Sequence, residues 1–212
     1  MKTDDLIVML ATGITPVAPR IALRRFATAI GLGAFFALLL MLTTLGMWSD
    51  LSILLLPMFW IKLTFTASIA VFSLIGAFRL ARPGVQLGMV LGAMIVPVVA
   101  MWILAVVEVI RTPATERLAL LFGQSWFLCP FLIAILSVPV FIAVFWAMKG
   151  LAPTRPILAG AMSGLLAGSV GATIYCLHCP ELMASFLSVW YLLGMLIPTA
   201  IGAVAGSRLL HW

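Results

Sequence analysis

The chain has 212 residues, 65% of them hydrophobic and only 8% charged, with a formal net charge of +6 and a mean hydropathy of +1.28. Soluble domains carry about 25% charged residues, so a water-facing globular surface is excluded. The composition predicts an all-α, polytopic membrane helical bundle that accounts for nearly the whole chain.

Residues 1–25 read as a segment outside the membrane and 26–212 as a six-helix transmembrane domain. In the first segment "TDDLIVMLA" places Leu6, Ile7 and Leu10 on one face of a short helix, with Thr3 or Asp4 as its cap. Gly13 and Pro16 end it. A helix of about nine residues is marginal alone in water. It is expected to order against a partner or on the lipid surface, and the pattern alone does not choose. Arg20, Arg24 and Arg25 stand just before the first apolar run. That run is long enough to span, so it reads as an anchor and no cleavable signal peptide is expected.

A hydrocarbon core of about 30 Å needs about 20 apolar residues per helix. Six segments qualify: 26–47, 57–78, 85–107, 126–148, 157–175 and 183–206. Backbone groups in lipid must bond within their own segment, so each span is helical. Orientation follows from Lys and Arg in the short loops. With the N-terminus inside, the inner segments hold Lys2, Arg20, Arg24, Arg25, Arg79, Arg82, Lys149, Arg155 and Arg208, nine of the twelve basic residues. Arg111 and Arg117 fall outside, with Asp50, Glu108, Glu116 and Glu181. Six spans then put both termini in the cytoplasm. The positive charge is a topology signal and calls for no direct contact with nucleic acid.

The second span, "PMFWIKLTFTASIAVFSLIGAF", carries Lys62 near its outer end. A charge there must snorkel or pair; snorkelling beside Trp60 and a pair with Glu108 are the two readings. Gly160, Gly164 and Gly168 in the fifth span, and Gly202 and Gly206 in the sixth, fall at four-residue spacing. Such stripes are expected to be helix–helix contacts.

All three cysteines gather at the predicted outer surface. Cys129 lies in "SWFLCPF" at the start of the fourth span. Cys176 and Cys179 lie in "YCLHCPE" between the fifth and sixth. A Cys-x-x-Cys motif alone is weak: it fits redox chemistry, metal binding, or inert buried thiols. A zinc set usually needs four ligands; Cys129, Cys176, Cys179 and His178, with Glu181 in reserve, are the candidates. Oxidation of a pair would leave one thiol over. A transporter would show polar groups near the midplane, and no catalytic nucleophile, base and acid can be assembled. One enzyme class survives, a membrane thiol-disulfide oxidoreductase built on the outer Cys-x-x-Cys. A non-enzymatic regulator, with a chemical sensor outside and a binding element inside, fits the inventory better.

Over its whole length the chain resembles the six-span anti-sigma factors of the NrsF (negative regulator of sigma F) type. The resemblance is carried by "KTDDLIVMLA" at 2–11, "PMFWIKL" at 57–63, "ARPG" at 81–84, "SWFLCP" at 125–130, "GLAPTRP" at 150–156, "HCPE" at 178–181 and "VWYLLGMLIP" at 189–198. It implies a multi-pass protein of the bacterial inner membrane, without a cofactor. Such a protein holds an extracytoplasmic-function sigma factor and releases it under heavy-metal or oxidative stress. It also implies that the two sensing cysteines fall on Cys129 and Cys179 and the sigma-contacting segment on Asp4, Asp5, Leu6 and Ile7, which Leu10 extends. Cys176 departs from the family pattern and, with His178, joins the sensing set as a candidate. Cys129, Cys179 and His178 form the expected ligand set for a transient thiophilic metal. The thiols are expected to be open to a membrane-impermeant maleimide.

Overall fold

The computed structural model describes residues 3, 5, 9, 12, 21–47, 51–82, 84 and 87–210. All regular structure among them is helical. Seven helices follow in chain order: α1 Ile21–Thr44, α2 Pro57–Leu80, α3 Gly88–Arg111, the short α4 Arg117–Phe122, α5 Leu128–Lys149, α6 Pro156–Tyr175 and α7 Ala184–Leu209. All but α4 are long and apolar enough to cross a membrane. Proline opens α2 and α6, where its missing N–H is not needed by the helix. Arg79, Arg111, Lys149 and Arg208 stand in the last turns of α2, α3, α5 and α7, beside the exposed carbonyls of a helix C-terminus.

The six spans match the expected segments, with shifts at the ends. α1 begins at Ile21 and not at 26, so Arg24 and Arg25 lie inside it. Their long stems reach back to the rim, and Arg25 Nη1 donates to the carbonyl of Gly150 at 2.7 Å. α3 runs on to Arg111, past the expected 107. The last span is irregular: a π-helical stretch, Leu187–Tyr191, precedes the α-helix Leu192–Leu209.

α6 is the central helix. In its most apolar window 61% of residues are buried, against 22% for α3 and 28% for α1. It packs most extensively along α7, then against α5 and α2, while α1 lies on α5 and α3 on α2. The glycine stripes make the α6–α7 seam. A Cβ on Gly160 would run into the carbonyl of Gly202, and one on Gly164 into the carbonyl of Pro198. Only glycine lets the two backbones touch, as the spacing predicts. On the outside, Leu32, Phe35, Phe36 and Leu39 of α1 and Val96, Val99, Ile103 and Val106 of α3 are exposed. Apolar side chains facing outward are what a bilayer solvates.

Two apolar clusters divide the interior. One, around Phe26, Leu80, Met148 and Leu210, fills the end where α1 begins and α7 ends. The other, around Met41, Cys129, Tyr175 and Tyr191, fills the opposite end. That second end holds the 176–183 turn and is called the thiol rim below.

Gly164→Val drives an isopropyl group into backbone that has no space even for its Cβ. It should destabilise by about 1–3 kcal/mol or more. Gly92→Ala in α3 meets nothing within 4 Å and should be neutral or stabilising by up to about 1 kcal/mol. Thermal midpoints of the detergent-solubilised variants, read by size-exclusion profile, should fall for the first and hold or rise for the second.

Candidate functional site

The seam brings the end of α6 and the start of α7 together, and the turn between them is short. Its first part is an extra helical winding: the N–H groups of His178 and Cys179 both donate to the carbonyl of Tyr175 at 3.0 Å. This curls Cys176 and Cys179 back over the bundle. Cys129, one residue into α5, meets them there. All three thiols are free and buried, at 0%, 3% and 3% exposure for Cys129, Cys176 and Cys179. The expectation of open thiols is thereby corrected. They lie beneath the turn, packed among apolar side chains, and not on a water-facing surface.

The chain's two tyrosines are both here, their rings 5.9 Å apart. Tyr175 closes α6, and the π-helical stretch delivers Tyr191. A π-bulge rotates the following side chains relative to a regular helix, and such bulges favour functional positions. The Tyr191 hydroxyl is fully buried beside the thiols and closes no hydrogen bond of good geometry among the described residues.

Lys62 completes the cluster. It sits in the second turn of α2 and is fully buried. Its Nζ donates to the carbonyls of Cys179 at 2.8 Å and Glu181 at 3.1 Å and stands 5.0 Å from the centre of the Tyr191 ring. Neither reading of Lys62 from the sequence holds. It does not snorkel, and Glu108 is engaged elsewhere, accepting the N–H of Ser185 at 2.9 Å. One turn along α2, the Thr66 hydroxyl lies 3.8 Å from the Cys176 sulfur.

The two turn thiols differ electrically. Cys176 donates its proton to the carbonyl of Ala172 at 3.2 Å, and burial raises its pKa. Cys179 is pushed down to about 5, by the Cys129 thiol donating toward it and by the positive charge of Lys62, against the opposing effect of burial. The two shifts run in opposite directions, and only the one at Cys179 favours the thiolate, the nucleophilic form.

His178 points away from the sulfurs. Its Nδ1–H donates to the carbonyl of Gly46 at 3.0 Å, tying the turn to the end of α1. Among the described residues no three His, Cys, Asp or Glu side chains are placed to hold a metal ion. The expected ligand set of Cys129, Cys179 and His178 is therefore not assembled, because the histidine is spent on the α1 loop. Glu181 also faces outward and accepts the N–H of Gln124 at 2.8 Å. There Gly123 adopts φ +53°, and a Cβ on it would strike the carboxylate. Trp190, Phe122 and Trp126 pack together, and the Trp190 indole donates to the carbonyl of Leu121 at 2.9 Å. The α4 segment thus lies as a lid over the start of α7. Of the segment 4–10, Asp5 and Met9 are helical and exposed, while Asp4, Leu6, Ile7 and Leu10 lie outside the described residues.

Sequence reasoning grouped the cysteines correctly and missed Tyr175, Tyr191 and Thr66. For Lys62 the signal was present, since an ionisable residue inside a span marks a functional position by default. For the tyrosines no local pattern pointed inward.

Bundle and rim together define a six-span helical protein with a buried, electrically asymmetric thiol cluster at one end. Residues 10–212 match the family described as Negative regulator of sigma F, and the chain belongs to that family. It is 53% identical over its full length, and over all of the relative, to a probable anti-sigma-F factor NrsF from Azospira oryzae. It is 41% identical, again over the whole of both chains, to the anti-sigma-F factor NrsF of Caulobacter vibrioides. No solved structure matches the chain. The family is regulatory and non-enzymatic, which removes the oxidoreductase reading.

Because the thiols are covered, a bulky, charged maleimide should leave all three cysteines of the folded protein largely unmodified over minutes. In dodecyl sulfate it should label them completely. Rapid labelling of the folded protein would show the turn to be open.

Proposed function

We propose that the chain is an anti-sigma factor of the bacterial inner membrane. It holds an extracytoplasmic-function sigma factor inactive and releases it when heavy-metal or oxidative stress acts on Cys129 and Cys179. The observation that carries this reading is full-length similarity to two anti-sigma-F factors in a chain whose three cysteines meet at one buried rim.

The holding element is the segment around Asp4, Asp5, Leu6, Ile7 and Leu10. As an amphipathic helix it would lay its apolar face in a groove of the sigma factor, with the aspartates against basic residues. Each buried side chain contributes up to about 1.5–3 kcal/mol before ordering costs. This is too little for tight sequestration, so further inner-rim surface, including Arg20, Arg79 and Arg82 or the 149–156 loop, takes part. Both termini are cytoplasmic in this reading, which puts the thiol rim in an oxidising compartment.

The coupling runs through α6 and α7. The thiols sit on α5 and on the turn that joins α6 to α7. The glycine seam makes α6 and α7 move as one body. A chemical change that redraws the distance between Cys129 and Cys179 must shift α5 against that body, and α5 ends at the 149–156 loop on the opposite rim.

Leu6→Asp with Ile7→Asp should abolish repression while the protein still inserts, so the target regulon runs without stress at normal protein levels. Persistent repression would remove the segment from the role of principal contact. Cys129→Ser with Cys179→Ser should repress normally and fail to release under oxidant or thiophilic metal, while Cys176→Ser has a weaker effect. A reporter of the regulon in a deletion strain complemented with each variant reads both outcomes. Full induction in the double cysteine variant would defeat the sensing half of the proposal.

A further inference from the structure

Among the described residues Lys62 is the one buried cation of the thiol rim, and no described carboxylate pairs with it. It has no exposure. Two acids of this end are committed to backbone N–H groups, Glu108 to Ser185 and Glu181 to Gln124. An ammonium taken out of water costs several kcal/mol unless something compensates it. Carbonyl oxygens and an aromatic face supply part of that compensation. A full negative charge supplies the rest, and among the described groups beside Lys62 the thiols are its acidic source. The lysine donates to the carbonyl of the residue that bears one of them, Cys179.

We propose that Lys62 is the positioning residue of the sensor: its ammonium clamps the α6–α7 turn to α2 and is the counter-charge of the Cys179 thiolate, so that Cys179 is the thiol that reacts first. This rests on the reading that the rim is a thiol sensor and names how that rim is poised.

Each element packed around Cys179 supplies its neighbours. α2 gives Lys62 and Thr66, α5 gives Cys129, α6 gives Tyr175, the turn gives Cys176, and α7 gives Tyr191. Within this set only Lys62 brings a positive charge. Cys129 contributes a hydrogen bond toward Cys179 and no positive charge. Lys62 acts on Cys176 as well, but there burial is the larger effect, and the Cys176 S–H donates to the carbonyl of Ala172. His178, although adjacent in sequence, is turned to Gly46. The clamp is also mechanical. Two hydrogen bonds from one side chain hold the carbonyls of Cys179 and Glu181, and these flank Pro180, which has no N–H of its own to anchor the turn. Removing the ammonium releases the turn from α2 and strips the thiolate of its partner at once. A substitution with purely structural effect would do only the first.

The test is the pH profile of alkylation of the purified, detergent-solubilised protein by iodoacetamide, a small neutral reagent. The Cys179 sulfur forms a bond to carbon, iodide leaves, and mass spectrometry assigns the modified cysteine. In the wild type Cys179 should be modified first, with half-maximal rate well below the ordinary thiol value of about 8.5. Lys62→Met keeps an unbranched stem and removes the charge. It should move that midpoint up by at least about one pH unit, which is about a tenfold slower reaction at a pH below both midpoints. Lys62→Arg keeps a cation and should keep the low midpoint. A wild-type midpoint in the ordinary thiol range overturns the proposal, and so does a Lys62→Met profile superimposable on the wild type. An Arg variant as shifted as the Met variant also counts against the counter-charge. If Lys62→Met does not fold, the wild-type profile and the Arg variant decide. No sigma factor is present in this measurement, so its failure leaves thiol sensing standing. Normal stress release in the double cysteine variant would instead remove the sensing role and leave the ion pair.

Discussion

The close contact between α6 and α7 is the constraint on which the rest of the molecule depends. In lipid there is little hydrophobic drive between helices, so association needs backbone proximity and close packing. Gly160, Gly164, Gly202 and Gly206 provide it by having nothing where a side chain would collide. Two helices joined this tightly fix the ends of the turn between them. That turn must then curl, and its curl is what puts Cys176 and Cys179 under cover beside Cys129. The chemistry of the rim is thus a consequence of a seam running through the middle of the membrane.

The rim is asymmetric where the sequence looks symmetric. Cys176 and Cys179 are three residues apart with similar burial, yet the Cys176 thiol donates to a helix carbonyl while the backbone carbonyl of Cys179 is held by Lys62. A burial penalty acts on both, and the partners decide the difference. A sensor gains from this arrangement. One sulfur is ready to react, a second stands beside it to respond, and the cover over both keeps casual reagents out. Beside the turn, α4 is fastened to the start of α7 through Trp190 and Leu121, and Glu181 of the turn is held to Gln124.

Distance between the two functional ends is set by the spans themselves. The thiols lie at one rim and the sigma-binding segment proposed here belongs to the other. A signal of the kind proposed would therefore have to move helices and not side chains. The shared seam makes α6 and α7 one rigid partner, with α5 packed against both. Its Cys129 end and its Lys149 end are the two ends of a single helix.

By itself the sequence determined the class, the six spans and the gathering of the cysteines. These follow from hydropathy, from the length that a bilayer demands, and from parity: each span carries the chain across once, so residues 129, 176 and 179 fall at one rim however the helices pack. The glycine stripes also told which faces would meet, because a missing Cβ is a local property. Span ends were less legible, since an arginine such as Arg25 can stay in a helix and reach the rim with its stem. What only the tertiary structure decided is everything that depends on direction. The burial of the thiols, the turning of His178 to Gly46 and of Glu108 to Ser185, and the closure of Lys62 onto the carbonyl of Cys179 all join residues far apart in the chain. A π-helical register brings in Tyr191, which no regular period foretells. Local pattern fixes which rim a side chain belongs to; which neighbour it meets there is fixed by the angle at which helices pack, and that is a property of the whole bundle.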